Sequence, residues 1–335
     1  MDATQRLKEA LESQQIREIP VIPLAGQWIA KFSGFPIQQV VEQGEKLYEA
    51  QIKAFEAVGY DTLFGYCDVF YIEEALGCQL QIFPTGMDII PISIETLEDI
   101  DKLPIPNPEK DGRLPQILKA VKLLSNYSNK KTPVATFVEG PFTTAARMVG
   151  TDYLMRKVLK DKVFFHRFLD KITEILTTFL RATVEHGANL LVMPDACTSS
   201  TMISPKLASE ISFPYLKKLI TSLKIPSILH ICGDSTNILQ MMVETGASIL
   251  SLDQCMDLSL ARGKVGWETA IGGNFDPVNI MQFGNPDDVH REVGKCLKAG
   301  GNRGFVLMSG CSIAPNAPLE NMKAVVSATR DFCFV

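Results

Sequence analysis

Short apolar runs, many of them β-branched, alternate along this chain with longer stretches of helical periodicity, and eight such runs recur. They occupy residues 20–25, 61–66, 133–138, 189–193, 226–230, 248–252, 269–273 and 304–308. Between them the periodicity shifts to that of amphipathic helices over residues 40–57, 157–186, 205–223, 235–245, 287–299 and 319–330. The punctuation agrees with this reading. Pro205 and Pro318 stand where a first helical turn tolerates a missing N–H, and Gly187, Gly246 and Gly300 stand where helices exit.

Strand runs that alternate with helices predict an α/β protein with a parallel sheet, and eight of them predict a (β/α)8 TIM barrel. A doubly wound open sheet would want a glycine-rich phosphate turn after an early strand, and no such turn is present. Residues 1–13 read as a charged helix, giving the barrel an N-terminal helical extension. The Pro-rich stretch Leu103-Pro104-Ile105-Pro106-Asn107-Pro108 is the weakest point of the chain, but no low-complexity linker accompanies it. It reads as a loop, so residues 1–335 are expected to form a single domain.

Composition narrows the class further. Of the 335 residues, 46% are hydrophobic, which is ample for a large core, and the formal charge of −5 gives no electrostatic reason to expect nucleic acid. The charged N-terminus lacks the apolar core of a signal peptide, and no apolar run approaches membrane-spanning length, so a cytoplasmic protein without membrane contact is expected. Eight cysteines are scattered without a disulfide framework and should be free thiols. Cys67, Cys78, Cys197, Cys255, Cys296 and Cys333 read as packing residues. His166, His186 and His290 fall in helical stretches and read as surface or packing residues too.

The other two cysteines carry chemistry. In an extended segment residues i and i+2 point the same way, so the imidazole of His230 and the sulfur of Cys232 in His230-Ile231-Cys232 face one point. Cys311, in Ser309-Gly310-Cys311, follows the last strand run and would complete the set. Three protein ligands leave one tetrahedral position open, the mark of catalytic zinc, and two sulfurs select zinc over magnesium or calcium. Barrel chemistry sits at the C-terminal strand ends, and polar residues collect there: Gln27, Asp68, Glu139, Asp195, His230 with Cys232, Asp253, Asn274 and Cys311. Asp234, just past Cys232, reads as the cap of a helix beginning near Ser235.

Several segments resemble the uroporphyrinogen decarboxylase superfamily and, within it, the zinc-dependent corrinoid methyltransferases. Glu139-Gly140-Pro141-Phe142-Thr143 is similar to the superfamily's turn after a barrel strand, and Ser204-Pro205 through Phe213-Pro214-Tyr215 is similar to its Ser-Pro…Pro-Tyr helix. His230-Ile231-Cys232-Gly233-Asp234, with Gly310-Cys311-Ser312-Ile313-Ala314-Pro315 and Pro318-Leu319-Glu320-Asn321, resembles the zinc pattern of the methyltransferase branch. A decarboxylase of this superfamily should carry an N-terminal arginine-rich motif to hold tetrapyrrole carboxylates. Here that region reads Pro20-Val21-Ile22-Pro23-Leu24-Ala25-Gly26-Gln27-Trp28, with no arginine.

The resemblance implies a methyltransferase in which zinc on His230, Cys232 and Cys311 activates a small thiol such as coenzyme M for attack on a methyl-corrinoid. The chain has no Asp-x-His-x-x-Gly corrinoid motif, so a transiently bound corrinoid protein is the expected partner; the oligomeric state is left open. Asp195 and Glu139 are candidates for the open zinc position or for steering the thiol, and Asp68 for lining the site. Asp253 and Asn274 are candidates for orienting His230. An alternative within the same branch is a first-step enzyme that demethylates a small donor, such as an aryl methyl ether, methylamine or methanol, onto the corrinoid. Arg147 could bind an anionic thiol, whereas Trp28, Phe32, Phe35, Phe64, Phe70 and Tyr71 could wall an apolar donor. A non-enzymatic metal store or docking module would need more ligands, or fewer intact ones, than these three.

Overall fold

Seven of the eight apolar runs form strands of one parallel sheet in a computed structural model that describes residues 1–12, 15–83 and 86–334. The strands are β1 (Leu63–Phe64), β4 (Val134–Phe137), β5 (Leu190–Pro194), β6 (Ser227–Ile231), β7 (Ile249–Leu252), β8 (Ala270–Phe275) and β9 (Phe305–Ser309), with β2 (Gln79–Phe83) and β3 (Gly86–Ile90) forming a separate hairpin. The sheet runs β1-β4-β5-β6-β7-β8-β9, every neighbour parallel. All its strands are buried or nearly so along their length, which is why they read as unbroken apolar runs and not as alternating ones.

The eighth run closes the barrel without becoming a strand. Residues 20–25 lie between β9 and β1: Ile22 N donates to Leu307 O and Leu307 N to Pro20 O, each at 2.9 Å, while Asp61 N donates to Val21 O at 2.8 Å. Pro20 and Pro23 have no N–H to offer, so this segment cannot sustain a ladder. The closure is nonetheless anchored. The buried carboxylate of Asp61 accepts from Val21 N, from Arg6 of the helix Ala3–Leu11 and from Arg330 of the helix Leu319–Arg330. The N-terminal extension is thus a helix capped by Asp2; Ser13, read as its end, lies outside the described residues.

Three expected helices are each two. Residues 40–57 divide into Ile37–Glu42 and Gly44–Val58, where a Cβ on Gly44 would stand 2.4 Å from Gln116 O. Residues 157–186 divide at Asp161, which ends Thr151–Lys160 and caps Lys162–Glu185 through Phe164 N. Residues 205–223 divide into Pro205–Ile211 and Phe213–Thr221, because Pro214 cannot donate and its ring opposes a continuing turn. The segment 235–245 is helical only over Leu239–Glu244, and Asp234 caps the preceding turn by accepting from Thr236 N at 2.9 Å.

Cys67, Cys78 and Cys296 are buried as packing residues, Cys197 is half-buried, but Cys255 and Cys333 are exposed. His166 is half-buried with Nδ1 2.8 Å from the Tyr215 hydroxyl, His186 is half-buried against Ala182 O, and His290 is exposed. Among the described residues no helix is long and apolar enough to cross a membrane.

Candidate metal centre

His230, Cys232 and Cys311 come together at the C-terminal mouth of the barrel. His230 is the fourth residue of β6 and Cys232 the first beyond it, so both side chains project to the same side. Gly233 follows in the left-handed region at φ 75°, turning the chain away, and its N–H donates to Asp253 Oδ2 at 2.8 Å. Cys311 stands two residues beyond β9, after Gly310, where a Cβ would stand 2.4 Å from Gln254 N. That close approach sets Cys311 over β6.

The donor atoms lie within 4.8 Å of one another, with Cys232 Sγ 3.3 Å from His230 Nε2 and 4.0 Å from Cys311 Sγ. Tetrahedral zinc, with Zn–S near 2.3 Å and Zn–N near 2.0–2.1 Å, spaces its ligand atoms about 3.5–3.8 Å apart. The fit is close, and nitrogen with two sulfurs is a zinc donor set. His230 is aimed by Ser251, its register partner across β6 and β7: Nδ1 is 3.2 Å from both the Ser251 carbonyl and its hydroxyl. A proton on Nδ1 bonded to that carbonyl leaves Nε2 free to ligate. The Cys311 thiol is held well below its usual range, chiefly by a hydrogen bond from Cys232 and then by His230, while Cys232 is pushed up by the same bond and by burial. Both sulfurs must give up their protons to hold a metal, so binding at this site would release protons.

These three side chains open onto a cavity of about 340 Å³ that Glu139 and Arg147 also line. Glu139 follows β4 and is buried; both its oxygens accept from Arg147, through Nε and through Nη2, the latter at 2.9 Å. Burial raises the Glu139 carboxyl and the guanidinium opposes that rise. Arg147 also lies over the Phe70 ring at 5.1 Å. The wall is apolar, made by Tyr66, Val69, Phe70, Met87, Phe137 and Val192. Of the aromatic residues expected there only Phe70 takes part. Trp28, Phe64 and Tyr71 are core residues, Phe32 stacks on Trp28, and Phe35 lines a neighbouring groove.

Four expected site residues are engaged outside the cavity lining. Asp68 accepts from Arg113 Nη1 at 2.8 Å, from Arg113 Nη2 at 3.1 Å and from Phe70 N at 3.0 Å, which fixes the loop after β1. Asp195 is fully buried beside the start of the helix Pro141–Val149, where it accepts from Thr143 N at 3.2 Å, from the Thr143 hydroxyl and from Ser212 Oγ at 3.1 Å. Its negative charge offsets the free N–H groups of that helix end. A Cβ on Gly140 would stand 2.5 Å from Asp195 Oδ2, so only glycine admits the carboxylate there. Asp253 holds Gly233 N and Cys255 N, and Asn274 Nδ2 donates to the carbonyls of Asp253 and Met256. Their place around His230 is taken by Ser251. Neither Ser251 nor the cavity walls Tyr66 and Phe137 stood out in the sequence; knowledge of strand pairing would have found Ser251.

The sequence profile of the uroporphyrinogen decarboxylase family matches residues 2–332 of this chain. A methylcobamide:CoM methyltransferase of Methanosarcina mazei is 30% identical over 98% of this chain and 97% of its own length. A methylated-thiol–coenzyme M methyltransferase of the same organism is 27% identical over 83% of this chain and 74% of its own. A uroporphyrinogen decarboxylase of Microcystis aeruginosa is 27% identical over 88% of this chain and 85% of its own. Among solved structures, a methyltransferase from Methanosarcina mazei superposes with a TM-score of 0.90 at 24% identity over 99% of both chains, so the fold is a TIM barrel of that kind.

Proposed function

The chain belongs to the uroporphyrinogen decarboxylase family, and from that premise we propose that it is a corrinoid-dependent methyltransferase moving a methyl group between a corrinoid protein and a small thiol, with zinc on His230, Cys232 and Cys311. The relatives include both methyltransferases and decarboxylases, so the cavity must separate the two chemistries. The observation that carries the choice is the convergence of one imidazole and two thiols on a single apolar cavity. A tetrapyrrole with several carboxylates would need several cations. Among the described residues the cavity lining holds one guanidinium, Arg147, already bound to Glu139, and no lysine.

Zinc at this site would supply the Lewis acidity that lets a thiol ionise at neutral pH. The chain's own groups do the rest. Ser251 fixes the His230 ring, Cys232 and Cys311 stand together to serve as thiolate ligands, and the apolar wall keeps water from the reacting sulfur. In the transfer the thiol sulfur would supply the electron pair of the new C–S bond, and the cobalt–carbon pair would remain with the corrinoid of the partner protein, which is the co-substrate here. The cavity is too small for a corrinoid. It abuts a groove of about 560 Å³ that shares Gln27 and Met87 with it and is bordered by Phe35, Phe83 and Pro315. The corrinoid protein would present its cobalt there, meeting the thiol at the barrel mouth. The reading takes residues 1–335 as one domain working in the cytoplasm, where its cysteines stay reduced.

Demethylation of a small apolar donor onto the corrinoid is the second reading, favoured by the apolar wall and by the engagement of Arg147 with Glu139. Metal analysis of protein purified without added metal, for wild type and Cys311→Ala, followed by methylcobalamin demethylation with a panel of thiols, tests both. About one zinc per chain, lost in the variant, with thiol-dependent turnover supports thiol methylation. Zinc without thiol activity supports the donor-demethylating enzyme, and absence of metal from both proteins refutes the zinc reading.

A further inference from the structure

Beside the cavity lies an ionisable group that the chemistry above leaves unused. Glu73, in the helix Tyr71–Ala75, is 1% exposed, and neither of its carboxyl oxygens has a hydrogen-bond partner among the described residues. Its charged neighbours are Glu139, Arg147 and Asp68, with the Cys78 thiol also in electrostatic reach. Asp68 is held by Arg113, and Arg113 also binds Glu74. Arg147 is held by Glu139. Among the described residues no cation is bonded to Glu73, though Arg147 is in electrostatic reach, and burial together with Glu139 pushes its carboxyl well above the usual range. A carboxyl buried without a hydrogen-bond partner favours its neutral form, which carries an unused O–H donor, and Glu73 stands one helical turn beyond Phe70, whose ring Arg147 covers.

A buried donor with no acceptor is a cost that the fold carries without return. It acquires a use once the ion pair opens. Arg147 lines the cavity with its side chain 33% exposed, so it can meet the acidic group of a ligand, but turning to it would strip the buried Glu139 carboxylate of its partner. We propose that Glu73 is a positioning residue for anionic ligands: when the acidic group of a substrate draws Arg147 off Glu139, Glu73 turns its O–H onto Glu139 and keeps that carboxylate satisfied. The proposal rests on the methyl-transfer reading for its kinetic arm alone.

The test compares Glu73→Gln, which keeps a donor, with Glu73→Met, which fills the space without one. Calorimetric binding of ethanesulfonate, which has no thiol, should be alike in wild type and Glu73→Gln and weaker by roughly tenfold or more in Glu73→Met, the loss expected of one hydrogen bond to a charged group. In turnover the KM for 2-mercaptoethanesulfonate should rise by a similar factor in Glu73→Met, while that for the uncharged 2-mercaptoethanol should move far less. In the infrared, the protonated-carboxyl C=O stretch, assigned by its loss in Glu73→Gln, should shift to lower frequency when ethanesulfonate binds to wild type. The proposal is overturned by a wild-type protein that does not bind ethanesulfonate, by an unmoved carbonyl band, by equal effects on the two thiols, or by a Glu73→Gln variant no better than Glu73→Met. If neither thiol is methylated by wild type, the methyl-transfer reading fails while ethanesulfonate binding and the infrared band still decide the role of Glu73.

Discussion

Asp195 is where a metal-ligand role and a structural role make opposite predictions. Its carboxylate accepts three hydrogen bonds, from Thr143 N, the Thr143 hydroxyl and Ser212 Oγ, and it is fully buried. Replacing it by alanine leaves those donors facing a void, each at about 1–3 kcal/mol, so allowing for relaxation the variant should lose about 3–5 kcal/mol of stability. Asp195→Asn keeps an acceptor toward Thr143 and loses the charge. Bonds to a charged group exceed neutral ones by about 1 kcal/mol each, but the neutral amide also escapes the cost of burying a charge, so a loss of roughly 1–2 kcal/mol is expected. The pH dependence has a definite sign. Burial raises the Asp195 carboxyl above its ordinary value in the folded state, so between the two values the folded protein binds more protons, and wild type should lose stability relative to Asp195→Asn as pH rises through that window. Urea unfolding at several pH values, with zinc content measured on each variant, is the assay. Asp195 acting as a ligand would appear as zinc lost from a variant of undiminished stability, and that result would refute the structural assignment.

Other perturbations reach other parts of the molecule. Ser251→Ala should weaken zinc by no more than about tenfold in a chelator competition, since the Ser251 carbonyl still bonds Nδ1; a loss of many orders would mean the hydroxyl is the true orienting group. Stripping the metal should leave far-UV dichroism and a cooperative transition in place, because the donors already stand together within 4.8 Å, while adding zinc at 1,000 times its Kd should stabilise by about 4 kcal/mol. Phe83, 45% exposed at the groove, should when changed to Asp raise the KM for a methyl-corrinoid protein and leave zinc content unchanged; an unaltered KM would move the docking face elsewhere. Asp61→Ala strips a buried carboxylate from two part-exposed arginines, and should cost roughly 2–4 kcal/mol in urea unfolding.

What could be read from sequence follows from which forces are local. Strands buried on both faces must be apolar throughout, so β4 to β9 of the parallel sheet announce themselves, and the two-residue spacing of His230 and Cys232 fixes a shared face without knowledge of the fold. The hairpin β2 and β3 escaped because Gln79-Leu80-Gln81-Ile82-Phe83 alternates and is half-exposed, unlike the buried runs of the barrel. Helix breaks at Gly44 and Ser212 depend on a tight tertiary approach and on proline placement. The acidic candidates show the limit most clearly. A carboxylate at a strand end has the same sequence signature whether it faces the cavity, as Glu139 does, or bonds a neighbouring element, as Asp68 and Asp195 do. The difference lies in partners such as Arg113 and Thr143, which are remote along the chain or have no sequence signal. Ser251 and Glu73 are hidden for the same reason.

The carboxylate of Asp61 joins groups made far apart in synthesis. It is bound by Arg6, 55 positions earlier, and by Arg330, 269 positions later. On a ribosome, then, the helix Ala3–Leu11 and the run that closes the barrel can associate early, but the anchor beneath them stays incomplete until the helix Leu319–Arg330 has left the exit tunnel. Until then the edges of β1 and β9 have no secured closure, and a nascent chain that lacks the helix Leu319–Arg330 still presents open sheet edges to its surroundings. Chaperone dependence should therefore persist until Arg330 has emerged, and release of a chain stopped short of Arg330 should yield aggregate where one that includes the helix Leu319–Arg330 folds.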